Sequence, residues 1–409
     1  MSKERQLKRK EQPSFSYGEK TTRDAADALR YAVGAISRRW KIMSADQYKG
    51  IHIVSNLDAL ISAYKKSCRG SDWKESVQRY GIDIWANVHH TKKALNAGKY
   101  RQKPFVEFTL NERGKIRHVK SIHISDRVVQ RSLCDNVLTP RVESKLIYDN
   151  GASQSGKGPD FTRARLKKHL QSYFRENGTN EGYILLMDYH NYFGSIPHDK
   201  LVDTYREIIP EPDLMNLVEY LIRVNPGNYG VGIGAQLSQN AGILYPNRMD
   251  QYFKTVKGEK YYGAYMDDRY LICRTKEHAR ECMQEFYEQS GELGLDINEK
   301  KTRIVKLTAG FTFLKFRFVL TKTGKVLMYQ DKSMFTRESR RLKAFKRIKM
   351  DPARATECYR SWRGTVLKYK NNFHRIKRMD ALFEELFPGV EYRSKEELAK
   401  IQRTRKENV

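Results

Sequence analysis

The chain has 409 residues, with 77 Lys or Arg against 48 Asp or Glu and a formal net charge of +29. At 39% hydrophobic and 11% aromatic it can bury a core, which excludes wholesale disorder, and its length corresponds to roughly two or three domains. So large a positive charge on a folded chain calls for a polyanion, nucleic acid ahead of an anionic membrane surface. No apolar run reaches the roughly 20 residues of a membrane span, and the charged start MSKERQLKRKEQ lacks the apolar centre of a secretory signal. Cys68, Cys134, Cys273, Cys282 and Cys358 show no CxxC spacing. That argues against structural zinc and a disulfide framework, and fits a reducing compartment.

Residues 1–50 read as a basic N-terminal extension, loose at first and helical from Thr22 to about Trp40, where Ala, Leu, Val and Ile recur at helical spacing. Residues 51–66 predict a short strand or turn and then a helix capped by Asn56 or Asp58. KPFVEFTL and KIRHVKSIHI around Asn111–Gly114 predict a β-hairpin, after which Asp126 is the expected cap of the helix DRVVQRSLCDNVL. A Gly- and Ser-rich loop over Asn150–Pro159 leads to the helix FTRARLKKHLQSYF. YILLM (183–187) reads as a buried strand ending at Asp188. The Gly-rich stretch Asn228–Gln239 enters a helix, QNAGILYPNRMDQYFK. KYYGAYMDDRYLICR predicts a hairpin with Asp267 and Asp268 at its tip, and Lys276 to about Leu293 a helix. Two short strands, TRIVKL and FTFLKFRFVL, follow. Lys332–Arg378 is helical in pattern and carries 16 Lys or Arg against 3 Asp or Glu, with Phe345, Tyr359, Trp362, Tyr369 and Phe373 interleaved. The fold is expected to end near Phe387-Pro388-Gly389, before a polar helix or tail.

The apolar flanks of Asp188, Asp267 and Asp268 place carboxylates where charge is disfavoured, and a divalent cation is a strong partner for such acids. An Asp-Asp pair at a hairpin tip is by itself better read as a turn signal. The string YMDD between two apolar arms, with an upstream strand ending in Asp and a Gly-rich segment between, tips the balance toward chemistry.

In that order, DYHNYFGSIPHDKL, GVGIGAQLSQNAG, AYMDDRYLI, GLDINEKKT and FTFLKF resemble palm motifs A to E of reverse transcriptases, and GKIRHVKSIHISDRVVQRSLCDNVLTPRVE looks like their bacterial fingers motifs. The resemblance runs from about Phe105 to Phe318. It implies an α+β right-hand polymerase with fingers, an antiparallel-sheet palm and a helical thumb. The division it implies is 51–325 for fingers and palm and 326–409 for a basic helical thumb and C-terminal tail.

Carried over by position, Asp188 and Asp267 resemble metal-bridging carboxylates with Asp268 adjacent, holding two Mg²⁺ ions, or Mn²⁺ in their place. Lys115 and Arg117 resemble the cations that grip a triphosphate, although Lys115 reads equally as a solvated hairpin charge. Tyr189, Phe193, Ile233, Gly234 and Gln239 fall at nucleotide-contacting positions. Phe193 matches the aromatic that closes on the sugar 2′ position and selects dNTPs, and it reads equally as core. Lys301, with Lys300 as its alternative, resembles the lysine that protonates pyrophosphate. Phe313, Leu314, Lys315 and Phe316 resemble a primer grip in which Lys315 replaces the usual Gly. Gly232-Ile233-Gly234 with Ser238-Gln239 replaces the common Pro-Gln-Gly and resembles diversity-generating-retroelement enzymes; lineage drift in a loop explains it as simply.

These features imply RNA-directed DNA synthesis, with an RNA template, a primer, a cDNA product and dNTPs as partners, and a cognate non-coding RNA or accessory protein as further candidates. A diversity-generating retroelement is the expected setting, and phage defence the alternative. A cytoplasmic, bacterial or phage-encoded protein without membrane contact is expected. An RNA polymerase is disfavoured by Phe193. A non-catalytic RNA-binding scaffold or maturase-like protein is disfavoured by three close acids.

Overall fold

The run Tyr183–Met187 and the stretch Tyr270–Cys273 of Asp268–Cys273 are apolar on both faces, so each needs cover above and below. The computed structural model describes residues 49–112, 115–232, 234–367 and 373–393. Among these, the strands are β1 (Val106–Glu112), β2 (Lys115–Ser121), β3 (Tyr183–Met187), β4 (Tyr262–Tyr265), β5 (Asp268–Cys273), β6 (Arg303–Lys306), β7 (Phe311–Phe313), β8 (Phe316–Leu320) and β9 (Val326–Gln330). They form three antiparallel sheets: β1-β2, β4-β5-β3-β6 and β7-β8-β9. The two runs are the inner strands β3 and β5 of the central sheet. Helix Lys276–Leu293 covers one face and helix Pro159–Asn177 packs on β4 and β5 and reaches β8 and β9. The helix expected at Thr22–Trp40, the tip Arg113-Gly114, Ile233, Tyr369 and the tail from 394 lie outside the described residues.

Four apolar cores follow this layout. The largest joins the faces of β3 and β5 to helices Gln236–Leu244 and Lys276–Leu293. A second lies between helix Pro159–Asn177 and the β7–β9 sheet. A third sits inside the C-terminal helices Lys332–Arg347, Pro352–Leu367 and Phe373–Leu386. The fourth joins the helices before β1 to Ile124 and Val128.

Several local expectations are corrected. Residues 51–55 are helical, and Asn56 caps the next helix by accepting from the Asp58 and Ala59 amides. His123, not Asp126, caps Ile124–Leu133. Asp126 is buried and accepts from the Tyr100 hydroxyl at 2.7 Å and the Lys103 amide at 3.1 Å, tying down the lead into β1. The helix expected through QNAGILYPNRMDQYFK is broken before Pro246, which cannot donate to the preceding turn, into Gln236–Leu244 and Asn247–Gln251. FTFLKFRFVL is the hairpin β7–β8, not one strand. Residues 326–330 of the expected helical thumb are the strand β9, paired with β8, and the helical segment starts at Lys332 as its pattern implies. Tyr359 is buried, stacked on Phe383 at 4.4 Å and on the half-buried Trp362 at 5.7 Å, so these aromatics pack the helical core.

Candidate active site

Register brings the acids together. Met187 pairs with Arg269 across β3 and β5, so the next residues outward, Asp188 and Asp268, face each other at the same end of the sheet. Tyr265 pairs with Asp268, leaving Met266-Asp267 as a two-residue turn. Met266 takes the left-handed conformation, φ 53°, unfavourable for a residue with a β-carbon. Gly263 is needed behind this turn, because a β-carbon there would lie 2.6 Å from the Tyr270 ring.

Arg269 braces the turn. Its guanidinium donates to the Met266 carbonyl at 2.9 Å and to Asp250 at 2.8 Å, and Asp250 also accepts from the Tyr262 hydroxyl at 2.7 Å. Both charged side chains are fully buried. The sequence carries no local sign of this pair, since its members are 19 positions apart.

Asp188 is 3% exposed. One carboxylate oxygen accepts from the Asn298 amide at 2.9 Å, and both accept from Lys301 Nζ at 2.9 and 2.7 Å. The Asn298 amide N–H also donates to the Asp188 carbonyl at 2.9 Å. The segment Asp296–Thr302 is therefore strapped to the end of β3. Of the two candidate lysines, Lys301 makes this contact. Burial pulls its ammonium down, but hydrogen bonding to Asp188 and the charges of Asp188, Asp268 and Asp267 outweigh it and raise its pKa.

Asp267 is raised mainly by burial, with Asp188 adding repulsion. Asp268 is pushed up to about 7 by burial, then by the charges of Asp267 and Asp188. Three carboxylates crowd one partly desolvated corner where Lys301 and Asn298 serve Asp188. Hard divalent cations suit such an oxygen-rich, anion-excess site.

A cavity of about 830 Å³ opens beside the acids. Asp267, Asn298 and Lys301 line it on the sheet side, Phe193 and the Tyr229–Gly232 backbone on another, and Ile116 and Lys120 of β2 on a third. The glycine-rich wall is anchored by the Gly230 amide to Ile196 and the Val231 amide to Phe193, both at 2.8 Å. Gly230 has φ 90°, and a β-carbon there would lie 3.2 Å from the Gly194 carbonyl oxygen, so the close approach requires glycine.

Other expected site residues are dispersed. The Tyr189 ring is buried, stacked on Tyr192 at 5.2 Å, so its approach to the cavity is through its backbone. Phe193 is half-buried at the cavity wall, its ring edge against Gly242. Gly234 and Gln239 are exposed and outside the cavity lining, and Ile233 lies outside the described residues. Lys115 and Arg117 occupy β2 opposite Glu112 and Leu110, while the β2 residues lining the cavity are Ile116 and Lys120. Lys120 was not singled out in sequence, although its basic charge at an even strand position beside Ile116 was the available signal.

Leu314 and Lys315 form the β7–β8 tip, with φ 43° and 66°. Lys315 thus accepts a left-handed conformation that a Gly would take freely, and the turn is tight. Arg163 stacks on Phe316 at 4.4 Å and donates to the Leu314 carbonyl at 3.3 Å. A second cavity, about 450 Å³, separates this tip from Met334 and residues Ser361–Thr365 of the helical segment.

Comparison with protein families matches residues 109–324, just over half of the chain, to the model described as "Reverse transcriptase (RNA-dependent DNA polymerase)". Comparison with curated proteins gives no match.

Proposed function

We propose, from the premise that this chain belongs to the reverse transcriptase family and is an RNA-directed DNA polymerase, that the corner formed by Asp188, Asp267 and Asp268 is its nucleotidyl-transfer centre. The observation that carries this reading is the meeting of those three acids beside a cavity walled by β2, the glycine-rich segment and Phe193. Asp188, Asp267 and Asp268 would hold two Mg²⁺ ions, or Mn²⁺, which supply an activated primer hydroxyl and charge neutralisation of the leaving pyrophosphate. The primer 3′-hydroxyl attacks the α-phosphate of a dNTP, and the bond to pyrophosphate breaks. Lys301, placed on Asp188 at the cavity edge, is positioned to give a proton to the leaving group. Lys120, on the cavity-lining side of β2, supplies positive charge for the triphosphate. Phe193 fills the space a ribose 2′-hydroxyl would need. The Phe313–Phe316 hairpin faces the helical segment across the second cavity and guides the primer, with the basic helices as a thumb along the RNA–cDNA duplex.

A bacterial or phage cytoplasmic retroelement of the diversity-generating kind is the setting we favour, on the Gly232-Ile233-Gly234 and Ser238-Gln239 sequence; a phage-defence enzyme making cDNA from an associated non-coding RNA is the alternative. Purified protein with a primed RNA template, Mg²⁺ and either dNTPs or NTPs tests the activity. Extension with dNTPs supports it, and extension with NTPs alone overturns it. Sequencing the copurified RNA and the cDNA tests the setting. In that assay Ile233→Gln raises fidelity if residue 233 bears on the nucleotide, and equal error rates at equal activity remove that role. One lost hydrogen bond of about 1.4 kcal/mol corresponds to about tenfold in selectivity.

A further inference from the structure

The palm carries a second cluster of ligating groups, away from the acids. Cys273 ends β5, and His278 and Cys282 follow on helix Lys276–Leu293, one turn apart on one face. Their ligand atoms all lie within 4.8 Å of one another. His278 Nε2 is 3.7 Å from Cys282 Sγ, and Glu259 Oε1 lies 3.5 Å from that sulfur and 2.8 Å from the same nitrogen. Cys273 and Cys282 are buried, and Glu259 is nearly so.

We propose that Cys273, His278, Cys282 and Glu259 form a closed structural site for one Zn²⁺ ion per chain. Zinc bonds of about 2.3 Å to sulfur and 2.0–2.2 Å to nitrogen or oxygen, arranged tetrahedrally, place neighbouring ligands roughly 3.3–3.8 Å apart. The two separations from Cys282 Sγ already match those edges, the imidazole–carboxylate pair has to open slightly, and Cys273 Sγ, within 4.8 Å of the other sulfur and the imidazole, has to close in on the ion. Two thiolates and an imidazole select a borderline-soft ion over Mg²⁺. Each thiol releases its proton to solvent as its sulfur bonds the ion. Two thiolates and a carboxylate on a dication leave one negative charge, and the neighbouring Lys257 ammonium, paired with Glu285 at 2.5 Å, lies beside Cys282. The other imidazole nitrogen, Nδ1, is 3.6 Å from Glu281, a short side-chain movement away from the hydrogen bond by which a carboxylate orients a metal-bound histidine. The CxxC spacing absent from the sequence is replaced by a strand end and a helical His-x-x-x-Cys pair. The ion would pin the helix start and the turn before β4 to the base of the hairpin that bears Asp267 and Asp268.

Full-length protein purified under reducing conditions from zinc-supplemented culture is assayed for metal by mass spectrometry and, after chelation, titrated with Co²⁺. One zinc per chain is expected. Co²⁺ should give tetrahedral visible bands with thiolate-to-cobalt charge transfer, retained in the Asp267→Asn/Asp268→Asn variant. Cys282→Ser and the partly exposed His278→Ala should lose stoichiometric zinc, and Glu281→Gln should weaken Co²⁺ by about tenfold. Zinc content and cobalt spectra in the wild type no different from folded His278→Ala, or a Cys273–Cys282 disulfide recovered in place of metal, overturn the proposal.

Discussion

At Asp268, burial and the charges of Asp267 and Asp188 raise the carboxyl to about 7. An acid whose pKa is raised by folding favours the fold while protonated, and that contribution disappears as pH rises through about 7. The metal-free protein is therefore least comfortable above neutrality. Calorimetry at pH 8 in chelator is expected to show a higher Tm for Asp268→Asn than for wild type, with added Mg²⁺ raising the wild-type Tm more than that of the variant. A lower Tm for Asp268→Asn in chelator would mean the acid is better satisfied than its neighbours imply. Phe193 gives the second residue-scale test. Phe193→Ala opens the cavity wall beside Gly242, and the ratio of NTP to dNTP incorporation rises; an unchanged ratio in an active variant makes Phe193 a packing residue. The three acids are legible in sequence because YMDD stands between two apolar arms, downstream of a buried strand that ends in Asp188. Asn298, which fixes Asp188, is not legible, because one amide in GLDINEKKT has no distinguishing pattern until the loop closes on β3.

Among elements, the β4–β5 tip depends on the buried Arg269–Asp250 pair. Removing one partner strands the other charge, at a cost of about 3–5 kcal/mol. Asp250→Asn is thus expected to lower stability by about that amount in urea unfolding, and to reduce polymerisation through loss of the Met266 turn; wild-type stability would contradict the bracing role. The β7–β8 tip behaves oppositely. Lys315 sits at φ 66°, a conformation costing an ordinary residue about 1 kcal/mol or more. Lys315→Gly leaves stability unchanged or slightly raised, while weakening primer use through the lost cation; a clear loss of stability would show that Lys315 is held by contacts of its own. Element types were readable wherever periodicity ran long, as in Lys276–Leu293. They were misjudged where one residue decides, as at Pro246, or where a turn lacks its signature residue, as at Leu314-Lys315. β9 is hard to read because its short, mostly apolar run VLMYQ lacks period-2 alternation and does not distinguish strand from helix; its pairing with β8 defines it.

Across the whole molecule, the charge of +29 divides labour with the acids. Helix Lys332–Arg347 buries Phe335 and Leu342 and exposes Arg337, Arg340, Lys343 and Arg347, so its cations face outward while its apolar residues build the bundle. Composition points to a polyanion, but not to the burial of Tyr359 or the packing of Trp362 against it. Duplex affinity is expected to fall steeply with salt, about 10³-fold between 50 and 200 mM if about six phosphates are neutralised; a flat salt response would remove the basic helices from the binding surface. Binding and chemistry then separate by position. The direct measurement compares wild type with Asp267→Asn/Asp268→Asn on one primed RNA template, reading RNA–primer affinity and dNTP extension from the same preparations. The expected result is affinity equal to or above wild type with extension lower by about 10³-fold or more, the loss of several kcal/mol of transition-state stabilisation. Extension at the wild-type rate by the folded double variant would contradict the assignment of these acids as the polymerase centre.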